Sequence, residues 1–299
     1  MIGKIIALAL VSLLGTVAGA APLIYGTAYS GPHGAATLYS ISPATGAATA
    51  VGPIGFNQVG VLAFAPNGSL YGVGRNGAEK WVLLKIDLVS GAGTAVGPTG
   101  LETPFQDIAF RSDGTLFGYA RSVGQKSKAG LVYSIDTSTG AGRLAGNVTG
   151  GFEDSAPVAF SSENVLFTVN QRSLGTIAAA KAGPVTALHY SPSFGGAPSQ
   201  ANAVKFDART GMLWALVATS GGAGGNYVAT IDVKTGTVAP VGQTAAGLHS
   251  LAIEPRDFGP PPAPLPSSLI FLVSGVLALL GWNFWARSRH PSTGVSAGS

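Results

Sequence analysis

The amino-acid sequence predicts an all-β protein made of repeated four-stranded units, and three observations predict it. Short apolar runs alternate with Gly, Asn, Asp and Ser turns, as antiparallel strands do. A four-residue phrase recurs at Val61–Phe64, Asp107–Phe110, Pro157–Phe160, Ala203–Phe206 and Ser250–Ile253, at spacings of 46, 50, 46 and 47 residues. The 44 Gly and 19 Pro are spread between the apolar runs rather than pooled in one segment. A period in the forties with four short strands per unit is the signature of propeller blades. The expected architecture is therefore a five-bladed β-propeller of four-stranded blades.

Each unit opens with the phrase as its first strand. A turn follows at Pro66-Asn67-Gly68, Ser112-Asp113-Gly114, Ser162-Glu163-Asn164 or Arg209-Thr210-Gly211. Gly and Asn there supply the positive φ that a tight hairpin needs. Second strands begin at Leu70-Tyr71, Leu116-Phe117, Leu166-Phe167 and Leu213-Trp214. A second phrase, at Leu38–Gly46, Leu83–Gly91, Val132–Gly140 and Val228–Gly236, gives the third strand and its turn. An eroded copy at Leu174–Gly183 has Ala178 where three of the others have Asp. Asp87, Asp136 and Asp232 are assigned to the turns, where a carboxylate accepts backbone N–H groups ahead of it. Two longer loops are expected at Ala187–Asn202 and Thr219–Asn226.

The ends of the array complement each other. Ser250–Glu254 is a first strand without its unit, and Leu23–Gly26 matches a second strand without a first. Together they complete one blade, so the N- and C-terminal strands should close the ring and leave no open sheet edge.

Outside the array the chain carries an address. Residues 1–20 read as a signal peptide: Lys4, the apolar run Ile5–Leu14, and an Ala18-Gly19-Ala20 cleavage site. Residues 21–258 are the propeller domain, and 259–267 a proline-rich linker. Residues 268–286 are uncharged and would span about 28 Å as a transmembrane helix, close to a bilayer core. Arg287 and Arg289 then place the tail, 287–299, in the cytoplasm and the repeats outside. The formal charge of +4 includes Lys4, Arg287 and Arg289, so residues 21–267 hold 14 basic and 13 acidic side chains. That balance makes the pI near 9.4 no argument for nucleic acid or anionic lipid as a partner. The absence of Cys excludes disulfides, thiolate metal sites and a cysteine nucleophile.

Two resemblances follow from these residues. Residues 23–254 resemble the broad propeller group that includes the kelch, NHL and quinoprotein-like families. The Leu-Tyr-Ser-Ile-Asp-x-x-Thr-Gly phrase is similar to quinoprotein-type blades, but the aromatic that follows the turn in those repeats is missing. The resemblance thus implies the fold with no cofactor. The tail resembles the PEP-CTERM sorting signal, with Pro264-Leu265-Pro266 as the short motif, Leu272–Gly281 as the Gly-punctuated helix, and Arg287 and Arg289 as the basic end. This implies recognition by an exosortase-type membrane peptidase in the envelope of an exopolysaccharide-producing Gram-negative cell.

No catalytic motif stands out: HExxH and paired His are both absent. The candidate surface comes from topology. The loop entering each innermost strand should lie around the central channel, and these entries carry Asn57/Gln58, Gln106/Asp107, Asp154/Ser155, Asn202 and His249. Asp107, Asp154, Asn202 and His249 are the candidate ligand-binding residues, suited to a sugar or a cation. Asp107 and Asp154 would repel each other unless a ligand or cation stood between them. The preferred function is a non-catalytic binding or scaffold module with a polysaccharide or protein ligand. The alternative is a propeller hydrolase or lyase acting on a sugar or lactone through Asp107, Asp154 and His249.

Overall fold

The computed structural model describes residues 23–31, 33–120, 130–147, 157–169, 174–177, 186–188, 199–219 and 226–255. The expected signal peptide, linker, transmembrane helix and tail lie outside the described residues, as does Asp154. Among the described residues every regular element is a strand, and no helix is long and apolar enough to cross a membrane.

The strands run in antiparallel meanders. β1 (Ile24–Ala28), β2 (Ala35–Ile41), β3 (Ala48–Phe64), β4 (Leu70–Arg75), β5 (Trp81–Ile86) and β6 (Gly93–Pro98) share one sheet. β7 (Phe105–Phe110), β8 (Leu116–Ala120), β9 (Leu131–Ile135) and β10 (Gly142–Asn147) form the next. β11 (Val158–Phe160), β12 (Leu166–Val169), β13 (Leu174–Ile177) and β14 (Thr186–Leu188) form the third. β15 (Ser199–Asp207), β16 (Met212–Thr219), β17 (Asn226–Ile231) and β18 (Val238–Gln243) form the fourth. β19 (Ala252–Ile253) joins the first sheet beside β1, with Ile24 opposite Ile253 and Tyr25 opposite Ala252.

The first sheet has seven strands because β3 serves two meanders. Its first half is the outer strand of β19-β1-β2-β3, and its second half is the inner strand of β3-β4-β5-β6. The expected break between these two strands is instead one continuous strand. Its pairing with β4 jumps between Asn57 and Val61, and Gln58 takes a φ of 50° there. The expected 187–202 loop is also shorter, since β15 already begins at Ser199.

Turn chemistry explains the hairpins. Asp87 Oδ1 accepts from the N–H groups of Val89 and Ser90 and from the Ser90 hydroxyl, at 2.7–3.1 Å. Asp136 does the same with Ser138, and Asp232 with the N–H groups of Lys234 and Thr235. These contacts hold all three carboxyls below the usual carboxylate range.

The sheets pack face to face through apolar clusters, each built from two consecutive meanders. Val61, Val73 and Leu83 meet Ile108, Leu116 and Ile135. Phe117 and Tyr119 meet Val158 and Leu166, and Ala159 and Val169 meet Val204 and Leu213. The series returns to its start, because Trp214, Leu216 and Val228 pack on Ile24, Ile41, Leu251 and Ile253. Leu62, Leu70 and Leu84 in turn pack on Tyr25, Leu38 and Ala252. The innermost strands follow the same order, with β3 beside β7, β7 beside β11, β11 beside β15, β15 beside β19, and β19 beside β3. Radial antiparallel sheets stacked this way are the arrangement of a β-propeller.

A backbone latch joins neighbouring sheets at the rim. β6 bulges where its pairing with β5 shifts, between Leu83 and Leu84, and this presses Gly97 against Thr139-Gly140, the turn after β9. A Cβ on Gly97 would run into the Thr139 carbonyl, and one on Gly140 into the Gly97 carbonyl. Gly52 meets Ser90-Gly91 in the same way, and Gly242 meets Thr45-Gly46.

Candidate functional site

The phrase strands alternate in a way that decides what lies at the centre. Their second residues, Leu62, Ile108, Val158, Val204 and Leu251, are all buried between sheets. Their third residues are Ala63, Ala109, Ala159, Lys205 and Ala252, so one strand carries an ammonium where the others carry a methyl group. Among their first residues, Val61, Asp107, Pro157, Ala203 and Ser250, only Asp107 is charged.

Those two exceptions find each other. Lys205 Nζ donates to both carboxylate oxygens of Asp107 at 2.7 Å, and to the carbonyl of Val158 at 3.3 Å. Asp107 also accepts the N–H of Ile108 at 2.8 Å and that of Val158 at 3.1 Å. The pair thus reaches from β7 to β15 across the strand between them. Asp107 and Lys205 are 2% and 7% exposed, so little water screens them. Burial pushes the Asp107 carboxyl up and the Lys205 amine down, and each is countered by the other's charge. The two amide donors and the doubly engaged ammonium favour the ionised pair. Lys205 supplies the positive charge for which the sequence suggested a bound cation.

Of the other expected site residues, Asn202 and His249 are among the described ones. Asn202 lies in β15 where its pairing with β16 shifts, between Ala201 and Ala203. His249 stacks on Tyr29 at 4.1 Å between ring centroids, with Nε2 3.3 Å from the Tyr29 carbonyl. Beside it the two chain ends are sewn together. Ser250 Oγ accepts from Thr27 N at 3.0 Å and lies 2.6 Å from Thr27 Oγ1, and His249 N donates to Thr27 O at 2.8 Å. Among the described residues no group of three or more His, Asp or Glu is placed to hold a metal ion.

The cavity lies at the opposite end of the innermost strands, where they turn into the second strands. It has a volume of about 230 Å³, and each phrase strand gives it one large apolar residue: Phe64, Phe110, Phe160, Phe206 and Ile253. Ala63, Ala109 and Ala159 leave the space, and Lys205 stands among them, held by Asp107. Arg111, Ser112, Ser161 and Ser162 bring polar groups to it from the turns. Each phenylalanine is braced by an aromatic ring of the preceding meander. Tyr25 lies against Phe64, Tyr71 against Phe110, Phe117 against Phe160 and Phe167 against Phe206, at centroid distances of 5.1–5.8 Å in tilted or edge geometry. Arg111 is committed to Asp113 through Nε at 2.9 Å and through Nη2. Sequence reasoning placed the site at the strand entries and missed this end. The signal was present, because the fourth residue of the phrase is Phe in four copies of five.

No family model matches the chain, and no curated protein matches it. Solved structures of similar shape include the nidogen/laminin complex, at 12% identity over 78% of this chain and 98% of that chain, with a TM-score of 0.49. TolB from Acinetobacter baumannii has 16% identity over 77% of this chain and a TM-score of 0.47, and the match spans 55% of that chain. A symmetrical protein from a study of de novo evolutionary emergence has 17% identity over 79% of this chain and all of that one, with a TM-score of 0.49.

Proposed function

We propose that the chain is a closed five-bladed propeller, exported and held at the cell envelope, that works as a non-catalytic binding or scaffold module. The blade count is supported by the apolar clusters, which link consecutive meanders and return from the last to the first. One observation carries the non-catalytic reading. Asp107, the acid on which a hydrolase or lyase reading depends, has its carboxylate engaged by Lys205 and two backbone N–H groups. It acts as a strut across the channel. Asn202 and His249, with Asp154, remain candidate ligand contacts at the strand-entry end.

The address supports the same reading. Residues 1–20 direct export, 268–286 span the membrane, and Arg287 and Arg289 keep the tail inside. Pro264, Leu265 and Pro266 present the motif to an exosortase-type membrane peptidase. The exposed domain then meets polysaccharide or protein in the extracellular matrix. Protease added to spheroplasts should digest the repeats and spare a short C-terminal fragment, and repeats protected from that protease would refute the topology. Cells displaying the domain should retain labelled matrix polysaccharide without shortening it. Release of cleaved sugar would favour the enzyme instead.

A further inference from the structure

We propose that the cavity at the turn end of the channel is a binding site for one neutral pyranose ring, free or at the end of a glycan chain. The inference rests on reading the domain as a binding module and adds the location and the ligand class.

Size limits the ligand first. At about 230 Å³ the cavity is below the roughly 300–1,000 Å³ of pockets that take drug-sized ligands. It exceeds the roughly 150 Å³ that suffices for a bare benzene ring. One six-membered ring with substituents fits that interval, and a disaccharide must leave its second ring outside.

Charge limits it next. The two cationic side chains on the wall, Lys205 and Arg111, are neutralised by Asp107 and Asp113. An anionic ligand would have to break one of these pairs, so a neutral one is favoured. Wall chemistry then selects among neutral rings. Phe110, Phe160 and Phe206 are only partly buried and turn apolar surface to the cavity, while hydroxyls of Ser112, Ser161 and Ser162 stand with the turns. A ligand needs one apolar face for the rings and a polar edge for the hydroxyls. A pyranose has both: C–H groups on one face and hydroxyls around its edge. Ser161 Oγ already accepts the Val165 N–H and Ser162 Oγ donates to Glu163, so a ring hydroxyl would use the capacity these hydroxyls have left.

The test uses the full chain in detergent with methyl glycosides of neutral hexoses, methyl glucuronoside as the anionic control and benzyl alcohol as the apolar control. Saturation-transfer NMR should show a neutral glycoside bound and both controls bound at least ten-fold more weakly. Ser112→Trp with Ser162→Trp, at exposed turn positions, should cap the mouth, weaken binding at least ten-fold and leave the melting temperature unchanged. Phe160→Leu, which thins the wall without filling it, should also weaken binding. An oligosaccharide that binds more tightly than its own terminal glycoside, and is blocked by the same cap, identifies a chain end as the ligand. Equal affinity identifies the free sugar. Binding unchanged by the cap, preference for either control, or no bound glycoside overturns the site. Polysaccharide retained by cells carrying the capped variant would refute the cavity and leave the binding-module reading standing.

Discussion

Asp107 and Lys205 show how one side chain's meaning depends on another 98 residues away. Breaking a buried pair from one side strands a charge, and this costs about 3–5 kcal/mol. Replacing both partners with apolar groups is often neutral. Asp107→Val or Lys205→Ala alone should therefore lower urea stability by several kcal/mol. The double variant, which restores the residues found at Val61 and Ala63, should fall within about 1 kcal/mol of wild type. Additive losses would show that the two are not coupled. The turn aspartates make a separate expectation. The Ser90 N–H, the Ser138 hydroxyl and the Lys234 N–H head the contacts that depress Asp87, Asp136 and Asp232. Their contribution is present above the unfolded pKa near 3.8 and is lost as pH falls through the lower folded values. Changing all three to Asn should lower the neutral plateau and flatten the acid limb of a stability–pH curve below about pH 4.

Between residue and molecule stands the latch of bulge and turn. Gly97 is needed for close approach to Thr139-Gly140, whereas Gly114 has open space around it and a φ of 85°. Alanine at each position separates the two causes. Gly97→Ala must push two backbones apart and should cost about 1–3 kcal/mol. Gly114→Ala should cost about 1–2 kcal/mol from the left-handed backbone alone. Thermal melts of the two variants decide it, and a neutral Gly97→Ala would show that the rim yields easily. The Asp-x-x-Thr-Gly phrase was plain in the sequence and was read correctly as turn chemistry, while Gly52, Gly97 and Gly242 drew no reading. Their mutual contact was hidden, because strand periodicity describes one sheet at a time and a latch belongs to two.

At the scale of the whole chain the repeat was the most legible feature. Its period placed the strands, and the unequal ends showed which would pair. The continuous β3 was not legible, because Gly55 and Gln58 look like a loop and serve as bends within a strand. The site was legible only in part. Asp107 stood out as a charge at a channel position, while nothing in the sequence paired it with Lys205, 98 residues away. The aromatic residues of the cavity were visible in the sequence only as the fourth residue of a repeated strand phrase. Residues that repeat to build the blades also converge where the blades meet, so one pattern can mark both.

The pairing of β1 with β19 also sets an order in time. Thr27 and Ser250 are 223 residues apart, and their contact must wait until nearly every strand has been made and delivered. Until then β1 has a free inner edge, exposed to other chains emerging nearby. Closing so long a loop costs on the order of 5 kcal/mol of chain entropy, but most of that is already met once the intervening sheets have stacked. The final stitch is therefore short, two strand residues and a few hydroxyl contacts, because by then the rest of the chain has brought its own ends together.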